Sequence, residues 1–215
     1  MKRSLPFPNL RQYIVWLIAL TLLLLATTLF LELAEDVWLN EGFAWDATLM
    51  LLIHGQSRPW LDQLFWLITQ TGGPLAILPV VGLAFWYWQH GERKLSRLIL
   101  SSFVGNVILN SLLKLLFARP RPNLFPPVVT ETSFSFPSGH AMTAVAVYGL
   151  LSLLLWQRGR HSWALLAGLW VPLVALSRVY LGVHYPSDVL ASLALGTVWL
   201  VIVWFGYTGQ HVNHQ

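Results

Sequence analysis

No cysteine occurs anywhere in the 215-residue sequence. Disulfides, thiolate-held metals and cysteine nucleophiles are therefore excluded. Charge is scarce: Asp, Glu, Lys and Arg together make up 10% of the chain, and a soluble domain of this length usually carries about twice that fraction. Internal repeats, linkers and low-complexity segments are also missing. What fills the space is apolar. Hydrophobic residues account for 56%, with 12 Trp and 11 Phe, and the mean hydropathy is +0.60. Trp and Phe in such number suit the membrane–water interface. The composition reads as an integral membrane protein with a single domain covering residues 1–215. A net charge of +4 raises nucleic acid as a partner, but the positive charges are scattered between apolar runs, so lipid topology accounts for them better.

An all-α, polytopic fold with six transmembrane helices is expected, at about residues 14–33, 74–89, 98–117, 139–157, 162–180 and 186–207. The first run, Ile14 to Leu31, is charge-free and close to the roughly 20 apolar residues that cross a bilayer core. It exceeds the h-region of a cleaved signal peptide, and no A-x-A site follows it. Two shorter apolar pieces, Trp45 to His54 and Pro59 to Thr71, fall between the first and second spans. Helices of that length reach only about 20 Å against a core of about 30 Å. They read as amphipathic helices lying at the surface. With six spans, Lys2, Arg3, Arg11, Arg93, Lys94, Arg97, Arg158 and Arg160 fall on one side. Glu35, Asp36, Glu41, Asp46, Asp62, Glu131 and Asp188 fall on the other. The positive-inside rule then places both termini in the cytoplasm. Arg58, Lys114, Arg119, Arg121 and Arg178 remain on the outer side, most of them at helix ends.

Three segments converge there: "KLLFARPRP" from Lys114 to Pro122, "PSGH" from Pro137 to His140, and "SRVYLGVHYPSD" from Ser177 to Asp188. They read K-x6-R-P, P-S-G-H and S-R-x5-H-x3-D. In order and spacing this set resembles the type 2 phosphatidic acid phosphatase superfamily, whose lipid phosphatases are related to glucose-6-phosphatase and the vanadium haloperoxidases. Together with the six-span layout, the resemblance extends over most of the chain.

The resemblance implies a phosphoryl-transfer site in which His184 is the nucleophile and forms a phosphohistidine. Asp188 fixes the imidazole tautomer. His140 protonates the leaving oxygen and later activates water. Each residue type suits such chemistry. Charge spread over a phosphoryl group in flight is met by fixed cations and oriented donors. Lys114, Arg121 and Arg178 supply the cations, and arginine can bind paired oxygens bidentately. Ser138 and Gly139 open a helix whose first N–H groups point at an anion, and glycine permits close approach. The Ser138 hydroxyl has two readings, as phosphate donor or as plain N-cap. Arg119 also precedes a proline but misses the x6 spacing. It is expected to support the site from behind or to bind the substrate's tail, with direct phosphate contact and lipid-headgroup anchoring left open; the anchoring reading also suits Arg58.

Two histidines and an aspartate invite a metal, but the crowding by Lys114, Arg121 and Arg178 argues against one, and no cofactor is expected. His54, His90, His161, His211 and His214 fall at span ends, in short loops or in the tail, and read as interfacial. The expected function is a membrane lipid phosphatase, hydrolysing phosphatidylglycerophosphate, undecaprenyl pyrophosphate or phosphatidic acid. A lipid phosphotransferase sharing the phosphohistidine and a non-enzymatic lipid transporter are the alternatives. The expected partners are a lipid phosphate and membrane lipids, with no nucleic acid and no obligate protein partner. The expected place is a bacterial inner membrane, with the site on the extracytoplasmic face and Asn123 to Thr132 bordering the headgroup pocket.

Overall fold

The computed structural model describes residues 10–212, with side chains from 13 to 208. Lys2, Arg3, the side chains of Arg11 and His211, and His214 lie outside the described residues. Among the described residues there is no strand. The helices are α1 (Leu10–Trp38), α2 (Ala44–His54), α3 (Pro59–Gln70), α4 (Ile77–Gln89), α5 (Arg93–Phe117), α6 (Gly139–Gln157), α7 (His161–Tyr180) and α8 (Pro186–Val212). A π-helical turn, Val145–Gly149, interrupts the middle of α6. Inside that turn the Ser102 hydroxyl donates to the Ala146 carbonyl at 2.9 Å, tying α5 to α6.

Five helices are long and apolar enough to cross a membrane: α1, α5, α6, α7 and α8. The second expected span, 74–89, is met differently from the sequence reading. Residues 74–89 are too short alone, and crossing length is reached only when α3 and α4 are taken together across a 42° bend. Thr71, Gly72 and Gly73 make the bend, and Pro74 opens a short 3₁₀ turn before α4. The two short helices expected before the second span are present as α2 and α3, but α3 does not simply rest on the surface. Its Ile68 and Thr69 are buried, and beyond its end Thr71 is tied to α6 and α7. The Tyr148 hydroxyl donates to the Thr71 carbonyl at 2.9 Å, and the Trp170 indole donates to its hydroxyl at 2.8 Å. A threonine pair at the end of an apolar helix must find such partners when water is excluded.

The largest apolar cluster joins α4, α5, α6 and α8 around Val80, Tyr87, Leu98, Leu150 and Leu200. Helix α1 packs along α8, sealing Leu33, Ala34 and Val37 against Phe136 and Ala191. Most of its Leu, Ile and Trp side chains further along stay exposed, as expected of a lipid-facing helix. At one end of the bundle, Arg158 lies over the Tyr87 ring and Arg93 over Trp88, each at 5.0 Å. The opposite end gathers the C-termini of α5 and α7 and the N-termini of α6 and α8. Local sequence fixes these ends. Helix α5 stops at Ala118, which adopts left-handed φ of 44°, and Pro120 and Pro122 prevent its continuation. Pro186 opens α8, where its missing N–H is no loss.

Candidate active site

His184 sits on the five-residue connection between α7 and α8, Leu181 to Tyr185. Gly182 makes that connection possible, with φ of +76° and the Phe125 ring only 2.7 Å from where a Cβ would stand. A side chain there meets both backbone strain and a clash. The turn buries His184 to 1% exposure and gives its two nitrogens different surroundings. Nδ1 lies 3.4 Å from Asp188 Oδ2 and 3.4 Å from the Ser135 hydroxyl. Nε2 lies 3.3 Å from Arg121 Nη1. Burial first, then the positive charges of Arg178, Arg121 and Lys114, hold the imidazolium well below its ordinary range. The ring is therefore neutral near pH 7.

Arg121 stands on the Nε2 side, and Arg178 and Lys114 lie within electrostatic reach of the ring. Arg121 donates to the carbonyls of Val183 (2.6 Å) and Ser133 (2.7 Å). Lys114 reaches the Phe134 carbonyl, which Arg121 also approaches. Arg178 is 1% exposed; it donates to Thr69 at 2.7 Å and pairs with Glu131. Its Nε is buried with no partner. Glu131 also stands 3.9 Å from Arg121, so one loop carboxylate faces both arginines. Its place agrees with the expectation that residues 123–132 border the site.

Ser138 occupies the N-cap position of α6, but its hydroxyl makes no cap bond. That hydroxyl is fully buried and unpartnered, which leaves it free for a ligand and removes the capping alternative. The Ser138 N–H donates to Ser192 Oγ at 2.6 Å, and Ser192 donates to the Asp188 carbonyl at 2.5 Å. Gly139 faces Asn110, whose Oδ1 would stand 3.0 Å from a Cβ. The close approach it permits is thus to α5. His140 lies within electrostatic reach of Arg178, His184, Arg121 and Lys114. Its ring packs on Gly73, with Nε2 only 2.5 Å from where a Cβ would be. A side chain at 73 has no room while His140 holds this rotamer. Beside His140 a cavity of about 250 Å³ runs past Gly73, Asn106, Asn110, Ser111 and Gly139.

Arg119 points elsewhere. It pairs with Asp188 and, at 3.1 Å, with Asp46, and it lies 4.2 Å over the Tyr185 ring. It therefore braces the carboxylate behind His184 and stays out of the cationic pocket. Sequence reasoning missed Ser135, which donates to Asp188 Oδ2; Thr69, which orients Arg178; and Gly73, which seats His140. Asp46, taken as an outer acid on a surface helix, is 3% exposed. A lone carboxylate within the apolar stretch "FAWDATLMLLIH" was the available signal, because a charge in apolar surroundings needs a partner.

The chain as a whole is similar to known membrane phosphatases. Phosphatidylglycerophosphatase B of Bacillus subtilis is 36% identical over 183 residues, covering 81% of this chain and 89% of its own. Undecaprenyl-diphosphatase of Sulfolobus acidocaldarius is 32% identical over 194 residues, covering 87% and 88%. The crystal structure of the transmembrane PAP2-type phosphatidylglycerolphosphate phosphatase from Bacillus subtilis superposes with a TM-score of 0.77 at 30% identity, across 90% of this chain and 97% of that one. The sequence model of the PAP2 superfamily matches residues 95–210, the segment that carries Lys114, Arg121, His140, Arg178, His184 and Asp188. On motif order, helix arrangement and these matches, the chain belongs to the PAP2 superfamily.

Proposed function

We propose that this chain is an integral membrane lipid phosphatase acting through a phosphohistidine on His184. One observation carries the reading: a neutral, buried imidazole turns Nδ1 to a carboxylate and Nε2 to Arg121, with the charges of Arg178 and Lys114 also acting on the ring. An imidazole so held has its lone pair on the side where an anion binds.

Lys114, Arg121, Arg178 and the free Ser138 hydroxyl receive the phosphate oxygens, displacing Glu131 from the arginines. Nε2 attacks phosphorus, the P–O bond to the lipid breaks, and His140 gives its proton to the departing oxygen. For a pyrophosphate the departing group is the lipid monophosphate. In the second half, water attacks phosphorus, the P–N bond breaks, and the water's proton returns to His140. Inorganic phosphate then leaves. Catalysis here is positioning plus charge stabilisation, with one proton shuttled by one base. The cavity beside His140 is the place for the leaving group. It lies between the α3–α4 bend, α5 and the start of α6.

The relatives' names and this cavity support a lipid phosphate or pyrophosphate as substrate, with phosphatidylglycerophosphate, undecaprenyl pyrophosphate and phosphatidic acid as the first three to assay. A tail held in the membrane supplies binding remote from phosphorus that helps orient it. For purified protein in one detergent, kcat/KM for a long-chain lipid phosphate should exceed that of a water-soluble short-chain analogue by about tenfold or more. Activity should persist in chelator and fall with vanadate. Equal kcat/KM values would reduce the protein to a general phosphatase, and release of phosphate from none of the lipids would reject the reading.

The charge pattern supports an extracytoplasmic site in a bacterial inner membrane, with the end carrying Arg93, Lys94, Arg97, Arg158 and Arg160 in the cytoplasm. Because the chain has no cysteine, single cysteines can report sidedness directly. An impermeant thiol reagent on intact cells should label position 131 and spare position 92. The reverse pattern would invert the topology.

A further inference from the structure

We infer that Asp46, on the short helix α2, is a positioning residue for this reaction: it caps the helix that carries Asp188 and holds the arginine that orients it. The inference rests on the reading of His184 as nucleophile.

Helix α2 is distant in sequence from the rest of the site. Asp46 nonetheless reaches Ser187, 141 residues away, and the Ser187 N–H donates to its Oδ1 at 2.8 Å. Ser187 lies in the first turn of α8, where N–H groups have no intrahelical acceptor. A carboxylate there satisfies one donor and sits favourably at the positive end of the helix dipole. The cap therefore comes from another helix, and it lies one residue before Asp188.

The second oxygen does different work. Asp46 Oδ2 accepts the Ser187 hydroxyl at 2.5 Å and Arg119 Nη2 at 3.1 Å. Arg119 Nη1 bonds the Ser187 hydroxyl oxygen at 2.8 Å and also pairs with Asp188 Oδ1. A guanidinium is a rigid fork, so holding one prong on Asp46 fixes where the other meets Asp188. The Tyr185 and Phe43 rings, at 4.2 and 5.6 Å, complete the clamp. Asp188 is thereby divided. Oδ1 belongs to Arg119, while Oδ2 accepts Ser135 and the Tyr185 N–H (3.0 Å) and faces His184 Nδ1. Without the Asp46 charge, both prongs of Arg119 are free to close on Asp188 and draw Oδ2 from the imidazole. Asp46 bonds none of Lys114, Arg121, Arg178 or Ser138, so the effect falls on the chemical step and spares phosphate binding.

The test uses the full chain in detergent, with Asp46→Asn, Arg119→Gln, the double variant and Ser187→Ala. Asp46→Asn should lower kcat by about 10- to 100-fold with KM within about twofold, the size expected when a reacting group is displaced by about an ångström. The double variant should be no slower than Arg119→Gln within about twofold, because both losses act through one contact. Ser187→Ala, which removes the bridging hydroxyl and keeps both charges, should lower kcat in the same direction by less, and it decides the matter if Asp46→Asn does not fold. Vanadate, bonded to Nε2, mimics the five-coordinate phosphoryl group of the chemical step and not the bound ground-state phosphate; its affinity by calorimetry, which needs no turnover, should be weaker in Asp46→Asn than in wild type. An unchanged kcat, losses that multiply in the double variant, or equal vanadate affinity would each overturn the inference. Wild-type protein inactive on every lipid phosphate would instead reject the phosphatase reading, and the vanadate comparison would still decide the role of Asp46.

Discussion

His184→Ala is expected to reduce phosphate release to background, a loss of roughly 10⁴-fold or more, as when a covalent nucleophile is removed. The remaining groups bind and polarise a phosphate but offer it no acceptor. Water is poorly placed to substitute, since His184 is 1% exposed and lies beneath Arg121. Rates on a long-chain lipid phosphate, alongside a melting curve to confirm folding, check this. Near-normal turnover in the variant would remove His184 from the mechanism. The wild-type pH profile carries a related expectation. Burial, with Arg178, Arg121 and Lys114, holds the His184 imidazolium well below its ordinary range. The His184 imidazole is then already neutral at pH 7, and kcat/KM should show no His184-derived acid limb between pH 7 and 6. Stability follows the same sign. The folded state resists the proton that the unfolded chain accepts near pH 6.5, so this contribution is complete above that value and is lost as pH falls below it.

His140→Ala should cost about 10²- to 10⁴-fold in kcat, the range for loss of a positioned acid–base. The deficit should depend on the leaving group. A lipid alkoxide needs the proton in the transition state, whereas a phenolate departs without it. With an aryl phosphate the first half-reaction should therefore recover in this variant while the second stays slow, since water still lacks its base. A deficit of equal size for both substrates would mean that His140 acts on binding instead of proton transfer.

The sequence and the structure meet most closely at the helix ends. The K-x6-R-P, P-S-G-H and S-R-x5-H-x3-D runs each sit beside a turn residue or proline, so the local chain dictates where Arg121, His140 and His184 emerge. Periodic apolar runs of span length are equally legible, because a bilayer demands them. The bent pair α3 and α4 is harder to read. Each half is short, and the Gly72–Gly73 pair marks a break without saying whether the two halves belong together. The buried partners were hardest. Asp46, Thr69, Ser135 and Ser187 are ordinary residues locally, and only the packing of distant helices turns them towards Arg119, Arg178 and Asp188. Ser138 shows the reverse case: its position suited a cap, and only the absence of a cap bond in the folded chain distinguishes a ligand donor from a structural one.

A covalent phosphoryl group on His184 is best caught in the His140→Ala variant. The measurement is a rapid quench of that variant with an aryl phosphate carrying labelled phosphorus, followed by peptide mapping under alkaline conditions. Phosphate bound through nitrogen survives alkali and is released by acid. One label per active chain is expected, acid-labile, on the peptide containing His184, and absent when His184→Ala is added. Aryl alcohol release without any trapped label, or a label that maps to another residue, would contradict it.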